Sequence, residues 1–270
     1  MRSDGMRDGI MRAMLRHAVS MLRNPRLVAL HVSLNAILLA SASFWLLIPE
    51  EHVWQVLFAG FSALLILFIF LWLQCGTLVY AADPDPAKFR EAFSIRIVRM
   101  VWLLIGFFIL FCCMRMIAGW TDSQWQIAGY LYSKAPSWLR PTHGASGYVT
   151  ALGYIFSLGF WYILPAALLP VIAARVIGAS ARRGLRTLAR WQYWFGMAIP
   201  TVLGVWLTIQ IMGWTPGKSL RQQTVSLVIR MIVAYLIATA AWLATAGLLG
   251  SFVGPGDDGS RANVVRKTAA

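Results

Sequence analysis

The sequence predicts an all-α fold, a polytopic membrane bundle of six transmembrane helices with both termini in the cytoplasm, on three observations. The first is composition. A hydrophobic fraction of 59% and a mean hydropathy of +0.66 lie above the roughly 45–50% apolar content of soluble domains. The second is the apolar run: a helix needs about 20 consecutive apolar residues to cross a bilayer core. Six stretches meet that length: Leu27–Ile48, Val53–Tyr80, Ile97–Ile117, Val149–Val176, Trp191–Met212 and Val225–Leu249. The third is where the charge falls. Of the 24 Lys and Arg residues, eighteen lie before the first run, after the second, at the end of the fourth or after it, or after the sixth, and six lie in the other segments. The positive-inside rule then orients the chain N-in and C-in.

The same distribution accounts for the net charge of +14. The cations alternate with the runs and do not form one stripe, so no nucleic-acid partner is needed; the partners expected are the bilayer, anionic lipids at the cytoplasmic face and a further membrane protein. By elimination the address is a bacterial cytoplasmic (inner) membrane. Ala40-Ser41-Ala42 resembles a signal-peptidase site, but the apolar run continues through Phe44-Trp45-Leu46-Leu47-Ile48. A signal h-region is shorter, and the first span is read as retained.

Residues 1–24 form the first segment. Met11, Met14, Leu15, Ala18 and Leu22 recur at helical spacing, with Arg12, Arg16 and Arg23 on another face. That is the pattern of an amphipathic helix lying in the headgroup region, and Asn24-Pro25 ends it. The six-span domain occupies 25–252. In its second linker Asp85 is an N-cap with Pro86 at the first helical position, and Phe89, Ala92, Phe93 and Ile97 carry a helix toward the third span. In its fourth linker Arg182, Arg186 and Arg190 recur every four residues, with Leu185 and Leu188 on another face. The outer segment Trp120–Tyr148 carries Trp125, Tyr130, Tyr132 and Trp138, which suits an aromatic interfacial anchor; Thr121-Asp122 would cap a short helix there. The polar tail 253–270 is too poor in apolar residues to fold.

Chemistry is sparse. All ten acidic residues lie outside the spans, whereas proton-coupled carriers and intramembrane hydrolases need carboxylates or clustered histidines at membrane depth. No metal-ligand spacing and no phosphate-cradling glycine loop occurs, so neither cofactor nor enzyme is expected. Cys75 and the pair Cys112-Cys113 fall at opposite ends of their spans and read as buried structural thiols.

Two polar groupings remain. His31 and Asn35 share a face of the first span, and Gln74 and Thr77 sit at a similar depth on the second, as interhelical polar contacts or as part of a relay. Arg115, Arg230 and Gln210 all fall in the outer leaflet. Either the arginines snorkel to the headgroups, or they face inward and hold an anion such as a lipid phosphate. Small residues mark helix contacts: Ala234, Ala238, Ala241 and Thr245 on the sixth span, Gly153 and Ser157 on the fourth. Pro165, Pro170 and Pro200 should kink their spans.

The run Ala181-Arg182-Arg183-Gly184-Leu185-Arg186-Thr187-Leu188-Ala189-Arg190-Trp191-Gln192-Tyr193-Trp194 resembles a group of six-helix bacterial membrane proteins. These are similar to the membrane domain of some glycerophosphodiester phosphodiesterases. In that group a basic linker of the type Ala-x-Arg-x-Ser-x-Arg-Leu-x-Arg leads into an aromatic-started span; here Gly184 stands where serine is usual. The resemblance implies a six-helix architecture and no activity. Two functions from different classes follow. One is a non-enzymatic protein that binds or organises membrane components; the other is a permease or lipid-handling protein that recognises an anionic ligand from the outer leaflet.

Overall fold

A computed structural model describes residues 14–49, 51–215 and 219–254. All regular structure among them is helical. Six helices are long and apolar enough to cross a membrane: Pro25–Trp45, Val53–Ala82, Ile97–Asp122, Ala145–Ile177, Trp191–Gly213 and Leu220–Val253. They match the six apolar runs with ends that differ by at most five residues; the first stops at Trp45, three residues short of its run, and the others extend beyond theirs. We label them α2 (Pro25–Trp45), α3 (Val53–Ala82), α5 (Ile97–Asp122), α7–α8 (Ala145–Leu158, Leu164–Ile177), α10–α11 (Trp191–Thr201, Thr208–Gly213) and α12 (Leu220–Val253). Outside them lie α1 (residues 14–23), α4 (Phe89–Ala92), α6 (Gln124–Lys134) and α9 (Ala181–Leu188).

The chain divides into two units. Unit 1 comprises residues 1–104 and 170–270, unit 2 residues 105–169. In unit 2, α6 packs on α7. Thr121 and Asp122 do not cap α6. They end α5 instead, and Ser123 stands at the α6 cap position. Trp120, Trp125, Tyr130 and Trp138 are exposed. Cys112 is exposed rather than buried, so only Cys75 keeps the reading of a buried thiol.

Unit 1 is organised around α12, which packs on α3, α2, α9 and both halves of the fifth span. Its 34 residues extend about 51 Å at 1.5 Å per residue, against a hydrocarbon core of about 30 Å. The early turns are apolar and exposed (Val225, Val228, Ile232), while Thr245 through Gly250 are buried. Small residues bring the backbones together there. A Cβ on Gly250 would collide with the Ala81 carbonyl, and one on Gly247 would lie 2.9 Å from Ala18 Cα. Ala234, Ala241 and Thr245 are buried as the stripe requires, but Ala238 is exposed and Thr239 takes its place inside. Gly204 of the fifth span meets the Ala241 methyl, where a Cβ would lie 2.7 Å away.

Two of the three span prolines sit beside local π geometry, while Pro170 lies within the regular helix α8. The fourth span holds a π stretch at Gly159–Ile163 just before Pro165, and the fifth holds one at Val202–Leu207 just after Pro200. A proline leaves a carbonyl without its usual donor, and a shift to i→i+5 bonding accommodates the ring without ending the helix.

The linkers follow capping rules with one departure each. Asn24 caps α2, its side chain accepting from Arg26 N and Leu27 N while Nδ2 donates to Tyr80 Oη at 2.8 Å. Asp85 accepts from Ala87 N at 2.9 Å, with Pro86 opening a 3₁₀ turn into α4. The helix does not continue to the third span as the Phe89–Ile97 spacing predicts; it breaks across Ser94–Arg96. Phe93 is held under Gly76, whose missing side chain makes room for the ring, and the Phe93 carbonyl accepts from Trp72 Nε1 at 2.9 Å. In α9 the buried residues are Gly184 and Thr187, while Leu185 is exposed. A Cβ on Gly184 would sit 2.6 Å from the Pro170 carbonyl oxygen. That explains why this position is a glycine.

Candidate functional site

The predicted polar groupings are met differently. His31 is fully buried, and its Nε2 lies 2.7 Å from Thr77 Oγ1, joining α2 to α3. Asn35 Nδ2 lies 3.3 Å from His31 Nδ1, one turn along the same helix. Gln74 is also buried, yet its Oε1 has no hydrogen-bond partner; Thr77, one turn on, makes the interhelical bond. A bond the sequence gave no sign of comes from Tyr235, whose hydroxyl donates to the Val32 carbonyl at 2.5 Å and fastens α12 to α2.

Arg230 is 7% exposed. Its guanidinium donates to the carbonyls of Met212 (2.8 Å) and Trp214, and its Nε donates to Ser226 O at 3.3 Å. Met212 and Trp214 close the fifth span, so the side chain satisfies carbonyls that a helix end leaves open and sits at the negative end of its dipole. Gln210 is exposed and takes no part. Arg115 is exposed on α5 in unit 2.

A group of three arginines lies elsewhere in unit 1. The break at Ser94–Arg96 turns the chain sharply into α5 and delivers Arg96 and Arg99 to its first turn. The end of α8 delivers Arg175, followed by Gly178 at φ 90°, where Ala179 N donates back to Ala174 O at 2.8 Å. This is a glycine helix stop. Between them opens a cleft of about 620 Å³ lined by the three arginines, Trp102 and the apolar residues Ile95, Ile97 and Val98. The Arg175 guanidinium stacks 4.6 Å from the centre of the Trp102 ring. Arg96 lies 3.8 Å from Glu91, both side chains at least half exposed. Among the described residues no carboxylate comes within ion-pair distance of Arg99 or Arg175. Sequence reasoning counted these residues only as topology determinants. The spacing Arg96–Arg99 was visible, but pairing with Arg175 depends on where α4 breaks.

α1 lies at the same end of unit 1. Met14, Ala18 and Met21 are buried; Leu15 (52%), Val19 (40%) and Leu22 (39%) remain exposed. Arg16, Ser20 and Arg23 form a third, polar stripe. Met11 and Arg12 lie outside the described residues. Beneath α1 an apolar groove of about 430 Å³ runs between α10 and α12, with Gln192 its one polar lining residue. No protein-family model matches this chain, and neither does any curated protein or solved structure with which it was compared.

Proposed function

We propose that the chain is a non-enzymatic, multi-pass protein of a bacterial inner membrane, with the arginine-rich end and both termini in the cytoplasm. There it binds and organises membrane components through anionic lipid. The observation that carries this reading is the three-way division of α1. One stripe docks on the bundle, one is apolar and exposed, and one is basic. A helix with an unsatisfied apolar stripe beside a basic one is at lowest free energy in the headgroup layer. Each Lys or Arg near an anionic surface adds about 1 kcal/mol of attraction, screened by salt, and eighteen of the 24 cations fall on that side in the six-span topology. The absence of acidic residues from the six apolar runs supports the non-enzymatic part. The hydrogen bonds of Arg230 to backbone carbonyls weigh against an outer-leaflet anion site built on it.

The test is lipid composition around the full chain. Reconstituted into mixed vesicles and excised with its surrounding lipid, the protein is expected to carry anionic lipid enriched over neutral lipid, with the enrichment falling as salt rises. Equal amounts of the two lipids, at any salt, would contradict the reading.

A further inference from the structure

We propose that the cleft between the start of α5 and the end of α8 binds one phosphate-bearing anion, and that the phosphodiester of an anionic phospholipid is its natural source. The proposal deepens the function above, on which it rests, by committing to one stoichiometric site.

Three guanidiniums line one space of about 620 Å³. Like charges so gathered repel, and among the described residues the one carboxylate paired with a lining arginine is Glu91, whose exposed contact with Arg96 offsets little of that repulsion. Arg99 and Arg175 therefore line the cleft without an ion pair among the described residues, and a bound anion removes the repulsion. Guanidinium forks match phosphate oxygens two at a time, which a point charge does not. Trp102 holds the Arg175 plane by stacking, so part of the orientation exists before binding. The rim favours an amphiphile over a free ion: Ile95, Ile97 and Val98 are each more than three-fifths exposed beside the cations. A lipid sets its phosphate among the arginines and its glycerol and upper acyl carbons against these residues. The groove under α1 is comparable in size but has no cation in its lining, so nothing there selects an anionic headgroup.

The experiment uses the full chain in mild detergent, titrated with phosphatidylglycerol, phosphatidylcholine or inorganic phosphate and read by native mass spectrometry. One phosphatidylglycerol should be retained per chain. The R99Q/R175Q variant should hold it roughly tenfold or more weakly, whereas R182Q/R186Q, which removes the same charge from exposed positions of α9, should not. R175K keeps the charge and the fold but loses the fork, and should also weaken retention; unchanged retention would count against the geometry argued here. Displacement by inorganic phosphate in the native chain, absent in R99Q/R175Q, would keep the site and name free phosphate as its ligand. If both double variants weaken binding equally, attraction is diffuse; the site is then lost while the wider function stands. If phosphatidylcholine binds as well as phosphatidylglycerol, both fall.

Discussion

Arg230 and Arg175 lie in the same unit, one inside α12 against the end of the fifth span and the other in the last turn of α8, yet their surroundings assign them opposite roles. Arg230 is buried and its donors are taken by the carbonyls that finish the fifth span. Arg175 stands over a tryptophan face at the edge of an open cleft, with two further arginines and, among the described residues, no carboxylate partner. An arginine inside an apolar bundle is thus not by itself a ligand site. What decides is whether backbone acceptors already occupy its donors.

The comparison can be broken most severely at Arg230. Arg230→Met removes a buried cation from carbonyls that then have no donor. A hydrogen bond to a charged group contributes about 1.5–3 kcal/mol, so thermal unfolding in detergent should show a loss of about 3 kcal/mol, with Arg230→Lys intermediate. The matching change Arg175→Met should leave stability nearly unaltered. A large loss there would mean that Arg175 is structural.

Next in size is close packing at the basic end. Gly250→Ala and Gly184→Ser each place an atom onto backbone, at Ala81 and Pro170, and should cost about 1–3 kcal/mol as overpacked sites do. Gly60→Ala, with open space around it, is the neutral control in the same unfolding assay. Thr77→Val removes the bond to His31 at similar volume. Because interhelical hydrogen bonds in membrane proteins average about 0.6 kcal/mol, a loss much above 2 kcal/mol would point to a wider polar network.

The smallest effect expected is a pH response of α1. Burial holds the His17 imidazole below its ordinary range, opposed by the charge of Asp83. A folded pKa below the unfolded one means that the undocked helix binds the proton more readily. Docking stability is therefore complete above the ordinary histidine range and declines as pH falls through it. Hydrogen exchange of residues 14–23 should rise over that interval and stay flat in His17→Asn.

The sequence made the spans legible because apolar length and hydropathy depend only on residue order; all six runs coincide with helices. The cap at Asp85 and the break at Asn24-Pro25 were equally local, though the cap that Asn24 makes on α2 was not read. What escaped was anything set by a partner segment. The helix through Phe89–Ile97 breaks because Phe93 seats under Gly76, and the α9 face inverts because Gly184 approaches Pro170. The stacked Arg175 and the Tyr235 bond to Val32 follow from such placements. The outer-leaflet arginines were visible as residues, but the carbonyls that occupy Arg230 are the last of the fifth span, and the sequence does not specify how that helix end meets α12.

Everything proposed for the basic end requires that it face the cytoplasm, and orientation is the most direct thing to measure. Reporter fusions after Ala82, Ser180 and Ala270 should read cytoplasmic, and fusions after Glu51, Pro136 and Lys218 external. The account predicts strict alternation at all six sites. A C-terminal fusion reading external, or Ala82 and Ser180 on the outer side, would contradict it and remove the anionic inner leaflet from reach of the arginine cleft.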